Sequence, residues 1–246
     1  MKDDKKPGGK VWSLYKMGGI TPAIASMLGA QNAQQMAFIR SVMKEQRKQS
    51  LFEIPLRELE VAVFDLETTG FYPYNGDEIL SFGAIVVRGA EIQEQTTYYS
   101  LVNPKRKVPE VVESLTGITN VMVEQAPDLM QVLHDFMEFI GKRVLVAHGS
   151  GHDKNFLNAA LWKTSKVSLN HRLIDTMMVA KWLNPKRGSY TLDELLVDYG
   201  IPVAAERHHA LEDSIMTAKL WTAMLDSILE RQIVALGDLY AYLSRH

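Results

Sequence analysis

The stretch VFDLETTG, residues 63–70, ends a β-branched apolar run with two carboxylates, Asp65 and Glu67, two positions apart. Residues two apart in a strand point to the same face of a sheet. Two acids held side by side on a rigid strand repel each other, and burying them unpaired costs several kcal/mol. A divalent cation between them removes that cost. Hard cations such as Mg²⁺ are held by a few carboxylates together with the phosphate oxygens of a substrate, so this reading points to a phosphate ester. The plainer alternative for the segment alone is an acidic strand end at the surface.

On either side of this stretch the pattern is that of an α/β domain. Apolar runs at Val61 to Asp65, Ile79 to Val87 and Glu91 to Val102 read as strands, with Arg88-Gly89-Ala90 as the turn of an antiparallel hairpin. Helical segments follow at about 109–116 and 128–140. Val144 to Ala147 suits a short buried strand, Arg172 to Ile174 a second one, and a long helix runs from about His209 to Ile228. Strands first, then alternating strands and helices, give a mixed sheet flanked by helices. Before this domain, Thr21-Pro22 signals a helix start, and the stretch to about Gln49 carries a drifting apolar side that must dock, either on the same chain or on a partner. The chain therefore divides into a partly helical N-terminal extension over 1–55, a domain over 56–230 and a helical tail over 231–246.

Composition narrows the chemistry. The 246 residues carry a formal net charge of −2, so the protein is not one that coats nucleic acid by bulk charge. There are no cysteines, which excludes disulfides, zinc-thiolate sites and thiol nucleophiles and suits a reducing cytoplasm. The charged start, MKDDKKPGGK, and the lack of a long apolar run predict a chain that is neither secreted nor membrane-spanning.

Two further segments carry acids in informative settings. In AHGSGHDKNFLN, residues 147–158, Asp153 falls near the start of a helix that follows a strand end, where ligands collect in α/β sheets. Capping that helix is its ordinary alternative use. In RHHALEDSIMTAKLW, residues 207–221, His208 and Asp213 would lie about 140° apart on one regular helix. They reach one site only if the helix begins at about His209, leaving His208 on the preceding loop and Asp213 beside the core-facing Met216, Thr217 and Leu220. His148, His152, His171 and His209 read as structural or surface residues. Asp175 reads as a helix cap, and Glu206 and Glu212 as solvated.

Asp65, Glu67, Asp153, His208 and Asp213 stand in the order and local context of the three motifs of the DEDDh exonucleases, the family that includes the proofreading epsilon subunit of bacterial DNA polymerase III. FDLETTG resembles the first motif closely. HHALEDS resembles the third, with a histidine, four residues and an aspartate. The second departs, having Gly149-Ser150 after its histidine and His152 before Asp153, where the family commonly has Asn-Ala and Phe. SLTGIT at 114–119 and YTLDELLVDYGIP at 190–202 extend the likeness, which spans about 59–228.

The resemblance implies a ribonuclease H-like fold, a mixed five-stranded sheet flanked by helices. It also implies two divalent cations, Mg²⁺ or Mn²⁺, held by Asp65, Glu67, Asp153 and Asp213, with His208 as general base. Thr68, Thr69 and Gly70 would receive the terminal nucleotide. The implied activity is 3′-5′ hydrolysis of single-stranded DNA, or alternatively trimming of RNA, to nucleoside 5′-monophosphates. A binding protein with little catalysis is the competing class. It would be recruited to a DNA polymerase or sliding clamp through the N-terminal extension, where Lys48-Gln49-Ser50-Leu51-Phe52 faintly resembles clamp-binding peptides. The other reading of Leu51, Phe52 and Ile54 is as anchors of the linker.

Overall fold

The computed structural model describes residues 22–46, 51–204 and 207–244. Five strands, β1 (Glu60–Thr68), β2 (Ile79–Arg88), β3 (Glu91–Leu101), β4 (Val144–Ala147) and β5 (Leu173–Asp175), form one sheet in the order β3-β2-β1-β4-β5. β2 runs antiparallel to both β1 and β3, whereas β1, β4 and β5 are mutually parallel. This is the mixed five-stranded sheet expected from the sequence, with β1 at its centre. The parallel strands bring their C-terminal ends to one edge, which gathers Glu67, the segment after Ala147, and Asp175.

The helices are α1 (Pro22–Gln46), α2 (Glu110–Thr116), α3 (Asn120–Glu124), α4 (Leu129–Ile140), α5 (Gly151–Ser165), α6 (Thr176–Leu183), α7 (Leu192–Asp198), α8 (Ala210–Glu230) and α9 (Leu236–Leu243). Alternation along β1 explains how they sort. Val61 and Val63 pack with Met216, Leu220 and Trp221 of α8, while Ala62, Phe64 and Leu66 pack with Phe136 of α4 and Phe156 and Leu157 of α5. The strand is thus buried on both faces, as a strand carrying parallel crossovers must be. Continuing the same alternation, Asp65 and Glu67 fall on the α8 face.

α1 lies on α4 and α5 with Ile39 and Met43 buried. Polar contacts fix it there: Gln46 Nε2 donates to Gly141 O at 3.1 Å, Asn170 Nδ2 to Met43 O at 2.9 Å and Arg40 Nε to Ser165 O at 2.9 Å. Of the two docking outcomes read from the sequence, its own chain takes the second half of this helix, from Gln35 to Gln46, while residues 26–34, Met27 and Leu28 among them, stay exposed. Residues 1–21 and 47–50, including most of the clamp-like peptide, lie outside the described residues. Leu51 is buried in the core beside α9, Gly237 N donates to Phe52 O and Leu236 N to Ile54 O. The Phe52 ring meets Tyr240 edge-on and has Arg172 stacked 4.0 Å away. Leu51, Phe52 and Ile54 therefore anchor the chain to its own domain. Among the described residues no helix is long and apolar enough to cross a membrane.

Candidate active site at the strand ends

The β1–β2 register sets Asp65 opposite Gly83 and Glu67 opposite Ser81. Gly83 is decisive. A Cβ built there would sit 2.1 Å from the Ala210 carbonyl carbon and 2.2 Å from Leu211 N, so the first turn of α8 lies directly on the strand. That contact brings the third motif down onto the first. Adding a methyl group there must push backbone away rather than a side chain. Gly83→Ala should therefore cost about 3 kcal/mol, the upper end of overpacking costs, and should lower activity by moving Asp213. A denaturant melt with an activity assay checks both, and an unchanged midpoint would contradict the packing.

The turn before α8 resolves the angular problem posed by His208 and Asp213. His209 is the N-cap, its Nδ1 accepting from Glu212 N at 3.4 Å, and His208 takes a left-handed φ of 61°. Reversal at His208 folds the loop back over the helix start, and its backbone N–H donates to Asp213 Oδ2 at 3.0 Å. Ligand atoms of Glu67, His208 and Asp213 then lie within 4.8 Å of one another. The His209 ring stacks on Tyr99 of β3 at 4.6 Å and 19°, pinning this loop to the sheet.

Asp153 enters from the first turn of α5 and is buried. Helix capping is not its task, since the N-cap position is Ser150 and the carboxylate instead interacts with the N–H groups of its own residue and of Leu66. Asp175 does more than cap α6. It accepts from Met177 N, as read from sequence, and also from Gly149 N at 3.0 Å and Ser150 N at 2.8 Å, which fixes the β4–α5 loop.

His152, a structural or surface residue by its sequence setting, has its Nε2 3.1 Å from Thr68 Oγ1, which also donates to Gly70 O. Thr69 is buried. Its hydroxyl donates to Asp77 Oδ1 and accepts from Glu78 N, so it shapes the loop rather than facing solvent.

Burial and mutual repulsion dominate the electrostatics. Burial raises Asp65 well above the carboxylate range, with Asp153 and then Glu67 adding to it. Glu67 is pushed up to about 7 by burial and then by Asp153. Asp153 is raised chiefly by burial. Arg207, which the sequence reading did not single out, lowers both Asp65 and Glu67. It pairs with Asp213 and, through Nε at 2.6 Å, with Asp193 of α7. The signal for it was weak: a single cation one residue before His208, whose second carboxylate comes from a distant helix.

Four acids against one guanidinium leave an excess of oxygen donors and negative charge. That donor set fits hard divalent cations such as Mg²⁺ or Mn²⁺.

A pH dependence follows. Carboxyls whose folded pKa is raised contribute stability that is fully present below the unfolded values near 4, and it is lost as pH rises through the folded values. For Glu67 that window closes at about 7. Protein in EDTA should melt at progressively lower temperature from about pH 5 to about pH 8, and Mn²⁺ should raise the midpoint more at about pH 8 than at about pH 5. Equal shifts at both pH values would remove these carboxyls from cation binding.

Comparison with known proteins follows the same region. The family described as Exonuclease, RNase_T, matches residues 62–221. A DNA polymerase III PolC-type protein of Bacillus subtilis (strain 168) is 35% identical over 179 residues, which is 72% of this chain and 12% of that protein. A DNA polymerase III subunit epsilon-like protein of Rhodobacter capsulatus is 32% identical over 199 residues, 80% of this chain and 28% of that protein. The chain thus spans between about an eighth and a little over a quarter of these relatives' lengths. Among solved structures, the nuclease domain of 3′hExo, a DEDDh family member bound to rAMP, superposes with a TM-score of 0.59 at 22% identity. The match covers 73% of this chain and 94% of that one. Exonuclease X in complex with 5′ overhanging duplex DNA gives 0.54 at 22% identity, over 69% and 92%. At such identities these two likenesses concern the fold.

Proposed function

We propose, from the premise that this chain belongs to the exonuclease family matched over residues 62–221, that it is a metal-dependent 3′-5′ exonuclease acting on single-stranded DNA. The observation that carries the reading is the convergence of Asp65, Glu67, Asp153 and Asp213 with His208 at one end of the sheet, with Asp65, Glu67 and Asp153 held at raised pKa and Glu67 and Asp213 within ligand distance of His208. The relatives named as DNA polymerase III support DNA as the substrate. A strand of RNA is the alternative.

Asp65, Glu67, Asp153 and Asp213 would hold two divalent cations, Mg²⁺ or Mn²⁺. When bound, these supply positive charge at the scissile phosphate and make a water molecule more acidic. Thr68 and Gly70, with Thr69 holding the loop, receive the terminal nucleotide and its 3′-hydroxyl. His208 takes the proton of the attacking water at a ring nitrogen. The oxygen of that water bonds to phosphorus as the bond from phosphorus to the bridging 3′-oxygen breaks; that oxygen takes a proton from solvent to become the 3′-hydroxyl of the shortened strand, and a nucleoside 5′-monophosphate leaves. His208 is tied by its own N–H to Asp213 and lies between Arg207, paired with Asp193 and Asp213, and His209, stacked on Tyr99, so its backbone is held at the site.

On this reading the protein works in the cytoplasm, and a DNA polymerase or sliding clamp is the partner, reached through the N-terminal extension. The test is chromatography of products from DNA and RNA strands of equal sequence with Mg²⁺. Nucleoside 5′-monophosphates from DNA in excess over RNA support the proposal. Larger fragments, or faster release from RNA, overturn its exonucleolytic action or its sugar.

A further inference from the structure

Directly after the first motif the chain sets three large aromatic side chains in water. Phe71 is 78% exposed, Tyr72 65% and Tyr74 71%. Contiguous exposed apolar surface of this kind marks an interaction site. Of the three, Phe71 makes an edge contact with the His152 ring.

The segment carrying them is braced. Asp77 accepts from Tyr72 N at 3.0 Å, from Thr69 Oγ1 at 3.2 Å and from Arg106 Nη1 at 2.9 Å, and Asn75 N donates to Tyr72 O at 2.9 Å across a turn opened by Pro73. Gly70 permits the closure, since a Cβ there would meet the Asp77 carboxylate at 2.4 Å. The rings are presented on a rigid turn, so little ordering entropy opposes a ligand.

This platform is continuous with the candidate active site. The Phe71 ring meets His152 edge-on at 5.8 Å, and His152 touches Thr68 and precedes Asp153. Beyond Phe71, Tyr74 lines a cleft with Trp162 of α5, which is itself 57% exposed.

We propose that Tyr72 and Tyr74, extending from Phe71, form a stacking platform for unpaired nucleobases of the strand being shortened. The proposal rests on the exonuclease reading and adds the side chains that select a single strand. Nucleobase faces are free to stack only when unpaired, and stacking tolerates any base. The acids of this loop are spent, Asp77 on the internal bonds above and Glu78 on Lys163 Nζ at 2.6 Å, which leaves flat apolar faces as the recognition chemistry.

The test compares the wild type, Tyr72→Ala/Tyr74→Ala and Tyr72→Phe/Tyr74→Phe, first by fluorescence anisotropy of a 5′-fluorescein-labelled short oligothymidylate with Ca²⁺. Both side chains are exposed, so all three proteins should melt alike. The alanine pair should raise Kd by about 10- to 100-fold and the phenylalanine pair by less than about threefold. In hydrolysis with Mg²⁺, the ratio of kcat/KM for the oligothymidylate to that for the p-nitrophenyl ester of thymidine 5′-monophosphate should fall by a similar factor in the alanine pair. Unchanged Kd in the alanine pair, a phenylalanine pair as weak as the alanine pair, or no binding by the wild type would each overturn the platform. Ring-dependent binding without wild-type hydrolysis would sustain the platform and overturn the exonuclease reading. Hydrolysis with ring-independent binding would do the reverse.

Discussion

Asp65→Asn should reduce kcat by about 10³-fold or more while the cation-free protein melts at a higher temperature than the wild type. Asparagine keeps the shape of aspartate but removes a charge that burial, Asp153 and Glu67 all oppose. In the absence of cation the substitution relieves repulsion, so the fold gains. In its presence the site loses the ligand at its centre, and several kcal/mol of transition-state stabilisation go with it, each 1.36 kcal/mol being worth about tenfold. Thermal melts in EDTA and with Mn²⁺, run beside a turnover assay, separate the two effects. A variant that loses activity and also melts lower in EDTA would show that Asp65 serves the fold. Unchanged turnover would remove it from the site.

His208→Ala should lower kcat by about 10² to 10⁴, the range of a general base, with KM changed by less than about threefold. The left-handed turn at His208 and the bond from its backbone to Asp213 do not require an imidazole, so the backbone should persist in the variant. The limb of the kcat–pH profile that reports the base should disappear with the ring. A rise in KM at constant kcat would reassign His208 to substrate binding.

Much of this was legible in the chain because it depends on local periodicity. Alternation along Val61 to Glu67 predicts that both acids share a face, and the structure puts them on the α8 face with Val61 and Val63. The incompatibility of His208 and Asp213 on one helix predicts a helix start at about His209, and α8 begins at Ala210 with His209 as its cap.

What stayed hidden depends on residues that meet only in three dimensions. Gly83 reads as an unremarkable strand glycine until α8 is laid across it. His152 looked featureless because Thr68 arrives from another strand. Arg207 gained its meaning from Asp193, and Asp175 from the loop after β4. The short helix α3 at Asn120–Glu124 was also missed; it is fixed by its Thr119 cap and by Asn120 bridging Val108 and Glu113, which no periodicity announces.

The most direct test of the central claim follows a 5′-labelled single strand of DNA incubated with the wild type or Asp65→Asn in Mg²⁺, Mn²⁺ or EDTA. A ladder that shortens from the 3′ end is expected with either cation, and none in EDTA or in the variant. A ladder that persists in EDTA or in Asp65→Asn, or immediate release of the labelled 5′ nucleotide, would contradict that claim.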